Sequence, residues 1–235
     1  MTNQAVEYLL TDNLVNTSDL ESLIKGYLLN CRSQNLAPHT IDGYKMFLRN
    51  FTWYCRQNNF PAPPKITTAH MQSFLWYLGS EPHQWNSTSP AAKRMVSSTT
   101  VNDYFRALRT FFNWLEKEEL LSNNPFKRLK APKVDKKVIQ ALTPTEIERL
   151  FKTCSGKVML ENRNKAILSV FLDTGLRVSE ITALTIKDVN MDDGSILIRR
   201  GKGGKQRIVR IGNRAQKRYG DTSLCIVKGM ITDCF

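Results

Sequence analysis

Apolar residues return every three or four positions through most of residues 18–120, and that period confines this part of the chain to helices. Ile41, Tyr44, Phe47, Leu48, Phe51 and Tyr54 form one stripe, and Val101, Tyr104, Phe105, Leu108, Phe111, Phe112 and Leu115 form a longer one between Thr99 and Leu120. A first helix is expected from Ser18, where Ser18 and Glu21 have capping-box spacing ahead of Leu20, Leu23, Ile24, Tyr27 and Leu28. Another is expected over Thr67–Leu78. The joints between them are polar: a break at Asn35–Thr40, a proline stop at Pro61, Pro63 and Pro64, and an irregular loop over Glu81–Ala92.

The polar faces of these helices are basic. Lys45, Arg49 and Arg56 lie opposite the stripe of the second helix, and Arg106 and Arg109 opposite that of the longest. The whole chain of 235 residues carries a net charge of +13, which points to a polyanionic partner, nucleic acid before a membrane surface. The apolar run Ala166–Leu172 is broken by Ser169 and too short to span a bilayer, so no membrane partner is expected and the chain reads as cytoplasmic, or nuclear in a eukaryote. Five cysteines without C-x-x-C spacing read as reduced thiols, which argues against a disulfide framework or a zinc site.

Composition changes at NNPFKRLKAPKVDKK, where Lys127, Arg128, Lys130, Lys133, Lys136 and Lys137 meet two prolines. This predicts a basic linker over 123–141, either a solvated tether or a clamp on a polyanion backbone. The expected organisation is a tail over 1–17, a helical domain over 18–122, the linker, and a second domain over 142–235. That domain opens with a helix capped by Thr143, with Pro144 first and Glu146 completing a capping box.

A further helix over Asn162–Thr174 ends at Gly175, and the next begins at Val178, which places Arg177 at a helix entrance. Arg177 and Glu180 are three apart, so the acid can fix the guanidinium. A planar, permanently charged fork suits two oxygens of one phosphate, and an ordinary surface ion pair is the alternative. Ile196–Arg200 and Gln206–Ile211 alternate as strands about Gly201-Lys202-Gly203-Gly204-Lys205, a turn with lysines at its tip. Lys202 there can donate a proton to a leaving oxygen or serve as a charge against a nucleic-acid backbone. Nine basic residues and no acid lie between Arg199 and Arg218, which favours nucleic acid.

With these residues in place, the chain resembles the tyrosine recombinases of the phage integrase and Xer type from about Ser18 through Gly212. LAPHTIDGYKMFLRNF and STTVNDYFRALRTFFNWLEKEELLSNNPFKRLKAPK resemble the family's helical core-binding domain. TGLRVSEI and GKGGKQRIVRI resemble the opening of its catalytic domain. The implied fold is mainly α: a SAM-like helical domain followed by the N-terminal part of an α+β catalytic domain with a small β-hairpin. The resemblance implies catalytic roles for Arg177 and for Lys202 as general acid, with Glu180 supporting Arg177 and Lys205 the next candidate lysine. It implies DNA contacts at Thr40, Lys45, Arg49, Arg106, Arg109, Lys130, Lys205 and Arg207. In that family a tyrosine hydroxyl attacks the scissile phosphate to give a 3′-phosphotyrosine, without metal or cofactor. The implied partners are double-stranded DNA and other recombinase protomers.

The family's H-x-x-R motif, its later His or Trp, and its tyrosine belong beyond Gly212, and His39, His70 and His83 all precede them. Those three are expected at the surface or as caps, and Tyr219 is not expected to be a nucleophile. Helical periodicity stops after Lys217. Arg-Tyr-Gly-Asp at 218–221 is what codons for Ala-Leu-Trp-Arg-Tyr read as after loss of one nucleotide, so a divergent, frameshifted tail is expected over 218–235. The expectation is a truncated recombinase unable to cleave DNA alone, or a DNA-binding protein without enzymatic activity that competes at recombination sites.

Overall fold

The computed structural model describes residues 19–83, 85, 93–135, 138–154, 159–190, 192–199, 201 and 204–212. The chain divides into two compact units, Met1–Val138 and Ile139–Phe235.

The first unit is helical. α1 (Leu20–Ser33), α2 (Pro38–Gln57), α3 (Thr68–Ser80) and α4 (Ser98–Lys117) follow the predicted stripes. α4 touches each of the other three. Its stripe is fully spent in the interior: Phe105, Leu108, Phe111, Phe112 and Leu115 have no exposure. Around them the rings meet edge to face, as in Phe51–Phe74 at 5.1 Å and Phe111–Phe112 at 5.4 Å between centroids, the arrangement that aromatic quadrupoles favour. Burial pushes the Cys55 thiol up to about 12, which removes it from thiolate chemistry.

Helix ends differ from the sequence expectation in two places. Asp19, one residue after Ser18, is the N-cap of α1, and its carboxylate accepts from the Glu21 and Ser22 amides. α2 ends before the prolines, because Asn59 adopts φ +49 and the Phe60 amide returns to the Cys55 carbonyl at 2.9 Å. α1 ends likewise, with Asn35 at φ +54 and Leu36 bonded back to Cys31, and so does α4, with Glu119 at φ +58 and Leu120 bonded back to Leu115. All three are Schellman-type ends closed by an apolar residue.

The basic segment expected as a linker is docked on the first unit as far as Asp135, which exchanges hydrogen bonds with Ser98. Phe126 is buried against Phe105 and Phe112. Asn124 is buried too, donating to Asn113 and Glu116 and accepting from the Phe126 amide. The Pro125 and Pro132 carbonyls accept from Thr68 and Asn102. Apolar and amide anchors hold the backbone while Lys127, Lys130 and Lys133 stay exposed.

The second unit contains α5 (Pro144–Thr153), α6 (Met159–Thr174), the short α7 (Val178–Thr182), a 3-10 turn at Ile186–Asp188, and strands β1 (Ser195–Ile198) and β2 (Arg207–Arg210). The strands pair antiparallel, Ser195 opposite Arg210 and Ile198 opposite Arg207. Thr143 and Glu146 form the predicted capping box of α5. Gly175 ends α6 at φ +62, a conformation that suits glycine. A small core of Ala166, Val170, Leu176, Ile181, Ile196, Ile198 and Ile211 joins α6, α7 and the hairpin. The fold is therefore mostly helical with one two-stranded sheet, and no described helix is long and apolar enough to cross a membrane.

Candidate phosphate-binding site

The second unit builds its site around one carboxylate. Glu180, on α7, has a side chain 2% exposed and accepts four hydrogen bonds. Its Oε2 takes the Arg177 amide at 2.9 Å and Arg207 Nη2 at 2.7 Å, and its Oε1 takes Arg177 Nη1 at 3.1 Å and Arg207 Nη1 at 2.7 Å. These donors, the Arg207 fork first, hold the Glu180 carboxyl down at about 2 against an ordinary 4.5. The acid is therefore a fixed negative charge that positions two guanidiniums.

The two arginines are used differently. Arg207 spends both Nη groups on Glu180, whereas Arg177 spends one, and the Arg177 side chain remains 55% exposed. Arg177, Arg207, Lys205, Gly175 and Gly201 line an open groove of about 490 Å³. Lys205 is exposed there. Such a wall of cations over a buried acid can take a phosphate between Arg177 and Lys205.

Two further acids tie the hairpin to the helices beneath it. Asp188 is buried, accepts from the Thr185 amide and hydroxyl at 2.9 and 2.6 Å, and binds Arg199 Nε. The Thr185 hydroxyl is the first cause of its lowered pKa. Asp173 on α6 accepts the Gly212 amide at 2.9 Å, just past β2. Sequence reasoning passed over both acids, although Thr185-x-x-Asp188 has capping spacing that could have found one of them.

Of the residues singled out from sequence, Arg177, Glu180, Lys205 and Arg207 are brought together, with Arg207 in an ion pair. Lys202 and Tyr219 lie outside the described residues. In the first unit, Thr40, Lys45, Arg49, Arg106, Arg109 and Lys130 are all exposed. Lys45 and Arg49 are one turn apart on α2. Asn50 donates to the Tyr104 hydroxyl at 2.7 Å and joins α2 to α4. Burial raises the Tyr104 pKa, and the Asn50 bond and the Arg49 charge partly offset the rise, so Arg49 lies by that seam. Arg109 lies over the Phe105 ring at 5.4 Å.

The histidines take surface and capping places, though one of the caps is buried. His39 is exposed, and His70 Nδ1 accepts the Thr67 amide at 3.0 Å as a cap. His83 is buried, stacked on Trp85 at 5.0 Å, and bonded through Nε2 to the Leu78 carbonyl in the last turn of α3. Among the described residues Cys31, Cys55 and Cys154 are free, and no cluster suited to a metal ion occurs.

Comparison with known proteins converges on one family. The model of the phage integrase family matches residues 140–224, and that of the phage integrase N-terminal SAM-like domain matches residues 23–121. The tyrosine recombinase XerC of Halalkalibacterium halodurans is 30% identical over 193 residues, covering 82% of this chain and 59% of that protein. The tyrosine recombinase XerD of Oceanobacillus iheyensis is 30% identical over 184 residues, covering 78% of this chain and 57% of that protein. The chain thus spans less than two thirds of the length of these relatives. Among solved structures, a lambda integrase dimer bound to a COC′ core site aligns with a TM-score of 0.65 at 16% identity, over 95% of this chain and 59% of that one. The Tn1549 transposon integrase with circular intermediate DNA aligns with a TM-score of 0.57 at 17% identity, over 86% and 64%. At these identities the structural likeness shows the fold.

Proposed function

The chain belongs to the phage integrase family of tyrosine recombinases, and from that premise we propose that it binds double-stranded DNA and engages one backbone phosphate in the groove of its second unit. Lys45, Arg49, Arg106, Arg109, Lys130 and Thr40 contact the duplex through the first unit. Arg177 grips the phosphate, Glu180 holds Arg177, and Lys202 and Lys205 bring the lysine loop to the same phosphate. In the family's strand-exchange chemistry this is the part that stabilises charge on the phosphoryl oxygens and protonates the leaving oxygen. Other recombinase protomers are the protein partners that this reading implies.

The observation that carries the reading is Arg177, fixed at one nitrogen by a buried acid and more than half exposed on a cationic groove. A gel-shift titration of a short duplex against salt tests it. Binding should weaken steeply with salt, and Lys45→Gln and Arg49→Gln should each reduce the slope of log K against log salt by about 1. Salt-insensitive binding, or none, would overturn it. In the same gel a nicked duplex reports covalent protein–DNA product, which separates strand cleavage from binding alone.

A further inference from the structure

We propose that Arg207 is a positioning residue for this groove and not a contact to the DNA backbone: its fork clamps Glu180, and Glu180 in turn fixes Arg177 and seats the lysine loop. The inference rests on the reading of the groove as a phosphate site and gives one of its cations a different task.

The geometry separates Arg207 from its neighbours. Its two Nη groups meet the two Glu180 oxygens at 2.7 Å each, side by side, while Arg177 makes one longer side-chain bond of 3.1 Å. To reach a phosphate with the same fork, Arg207 would have to abandon a carboxylate that is 2% exposed, leaving a buried charge half-satisfied. Lys205 is under no such constraint, since it is exposed and forms no ion pair among the described residues. Arg207 and Glu180 stand 27 residues apart, so the pair joins β2 to the helix entrance at Arg177.

Gly201, at the base of the loop, lies against that pair. Gly201 donates its amide to the Lys205 carbonyl at 2.9 Å and accepts from Gly204, which sits at φ +75. A Cβ on Gly201 would lie 2.7 Å from the Lys205 carbonyl oxygen, 3.0 Å from Arg207 Nη1 and 3.5 Å from Glu180 Oε1. Only a glycine lets the base of the loop rest on the clamped pair. A lysine in place of Arg207 would keep the charge but could not span both carboxylate oxygens in one plane.

The test uses the full chain labelled with 15N-arginine and 15N-isoleucine, with the Arg177 backbone amide as reporter because it donates directly to Glu180. Two readouts are taken: its shift from pH 7 down to about pH 3.5, and its response to inorganic phosphate at pH 6. In the parent chain the amide should not titrate over this range. Arg207→Lys should bring a titration up into the ordinary carboxylate range and weaken phosphate binding about fivefold to tenfold, a loss of about 1–1.4 kcal/mol. Lys205→Gln should weaken phosphate binding and leave the Arg177 titration flat. The proposal is overturned if Arg207→Lys and Arg207→Gln both leave the titration flat, or if Arg207→Lys binds phosphate as the parent does. Loss of the dispersed Ile196, Ile198 and Ile211 amides in Arg207→Lys would also overturn it, because Arg207 would then be a determinant of folding. If the parent chain ignores phosphate while Arg207→Lys still releases the Glu180 titration, the phosphate reading fails and the positioning role stands.

Discussion

The two units are held together by different physics. The first buries a continuous cluster of twenty-two described residues, nine of them aromatic, and its described buried polar groups include no carboxylate. The second buries a cluster of seven described apolar residues and also buries two carboxylates, Glu180 and Asp188. Each is satisfied by an arginine from the hairpin. Meanwhile α5 has a strongly amphipathic pattern and no fully buried residue, and Leu150, Leu172, Val178 and Ile208 stay exposed. Burial of apolar area is non-directional and tolerates nearly any approach of ligand. Carboxylate–guanidinium ties are directional, and they put charge where a phosphate would meet it. The scaffold is built from the first kind of interaction and the site from the second.

The sharpest break of that contrast is Phe112→Ala. Phe112 has no exposure and its ring touches Phe51, Phe111 and Phe126. Truncation should cost about 3–5 kcal/mol, read as a lower urea midpoint of tryptophan fluorescence. A loss under about 1 kcal/mol would mean that the aromatic cluster does not carry the first unit.

Acid should act in the opposite sense, on the second unit. The folded Glu180 carboxyl sits at about 2, below its ordinary 4.5. Its contribution is therefore complete above about pH 4.5 and is lost as pH falls towards 2. Asp188 and Asp193 are lowered as well, by the Thr185 hydroxyl and by Ser195 respectively. Resonances of Ile196 and Ile198 should lose their native shifts through this window while those of the first-unit core persist. Glu180→Gln should remove the Glu180 share of that acid sensitivity and destabilise the second unit at neutral pH. Equal acid sensitivity in the two units would erase the distinction.

How much of this was legible follows the range of the interactions. Helices were legible because their signal is local: the α4 stripe, the Thr143-Pro144-Glu146 start and the Gly175 stop each lie within a few residues. Cap position was less so, since Ser18 and Asp19 are both able to cap and only the turn geometry selects Asp19. The proline triplet drew attention away from Asn59, which ends α2 first. Arg177 and Glu180 were legible as a pair for the same local reason. Arg207 was not, because its partner lies on α7, 27 residues earlier, and a strand pattern cannot reveal what a side chain meets at that distance. Docking of the basic segment was not legible, because Phe126 and Asn124, which anchor it, are outnumbered by lysines.

That segment offers the next test. Asn124→Ala removes two donors and the acceptor of the Phe126 amide, so it should cost about 1–3 kcal/mol in the first unit. Trypsin should then cut sooner after Lys127 and Lys130. An unchanged cleavage rate would show that Phe126 alone docks the strand.

The smallest effect sharpens the comparison most closely, because it concerns an ion pair of the same chemical kind on the other unit. Arg56 meets Glu21 at 2.7 Å, the distance found for Arg207 and Glu180, but the two side chains are 65% and 50% exposed. Water already solvates both partners, and holding two long side chains in one geometry has an entropic cost. Glu21→Gln should therefore shift the first unit's stability by no more than about 1 kcal/mol, less in high salt. Measured by urea titration at two salt concentrations, a larger, salt-independent loss would show that distance sets the worth of such a pair. A small one would show that burial does, which is why the short bonds at Glu180 organise a site and the equally short bond at Glu21 does not.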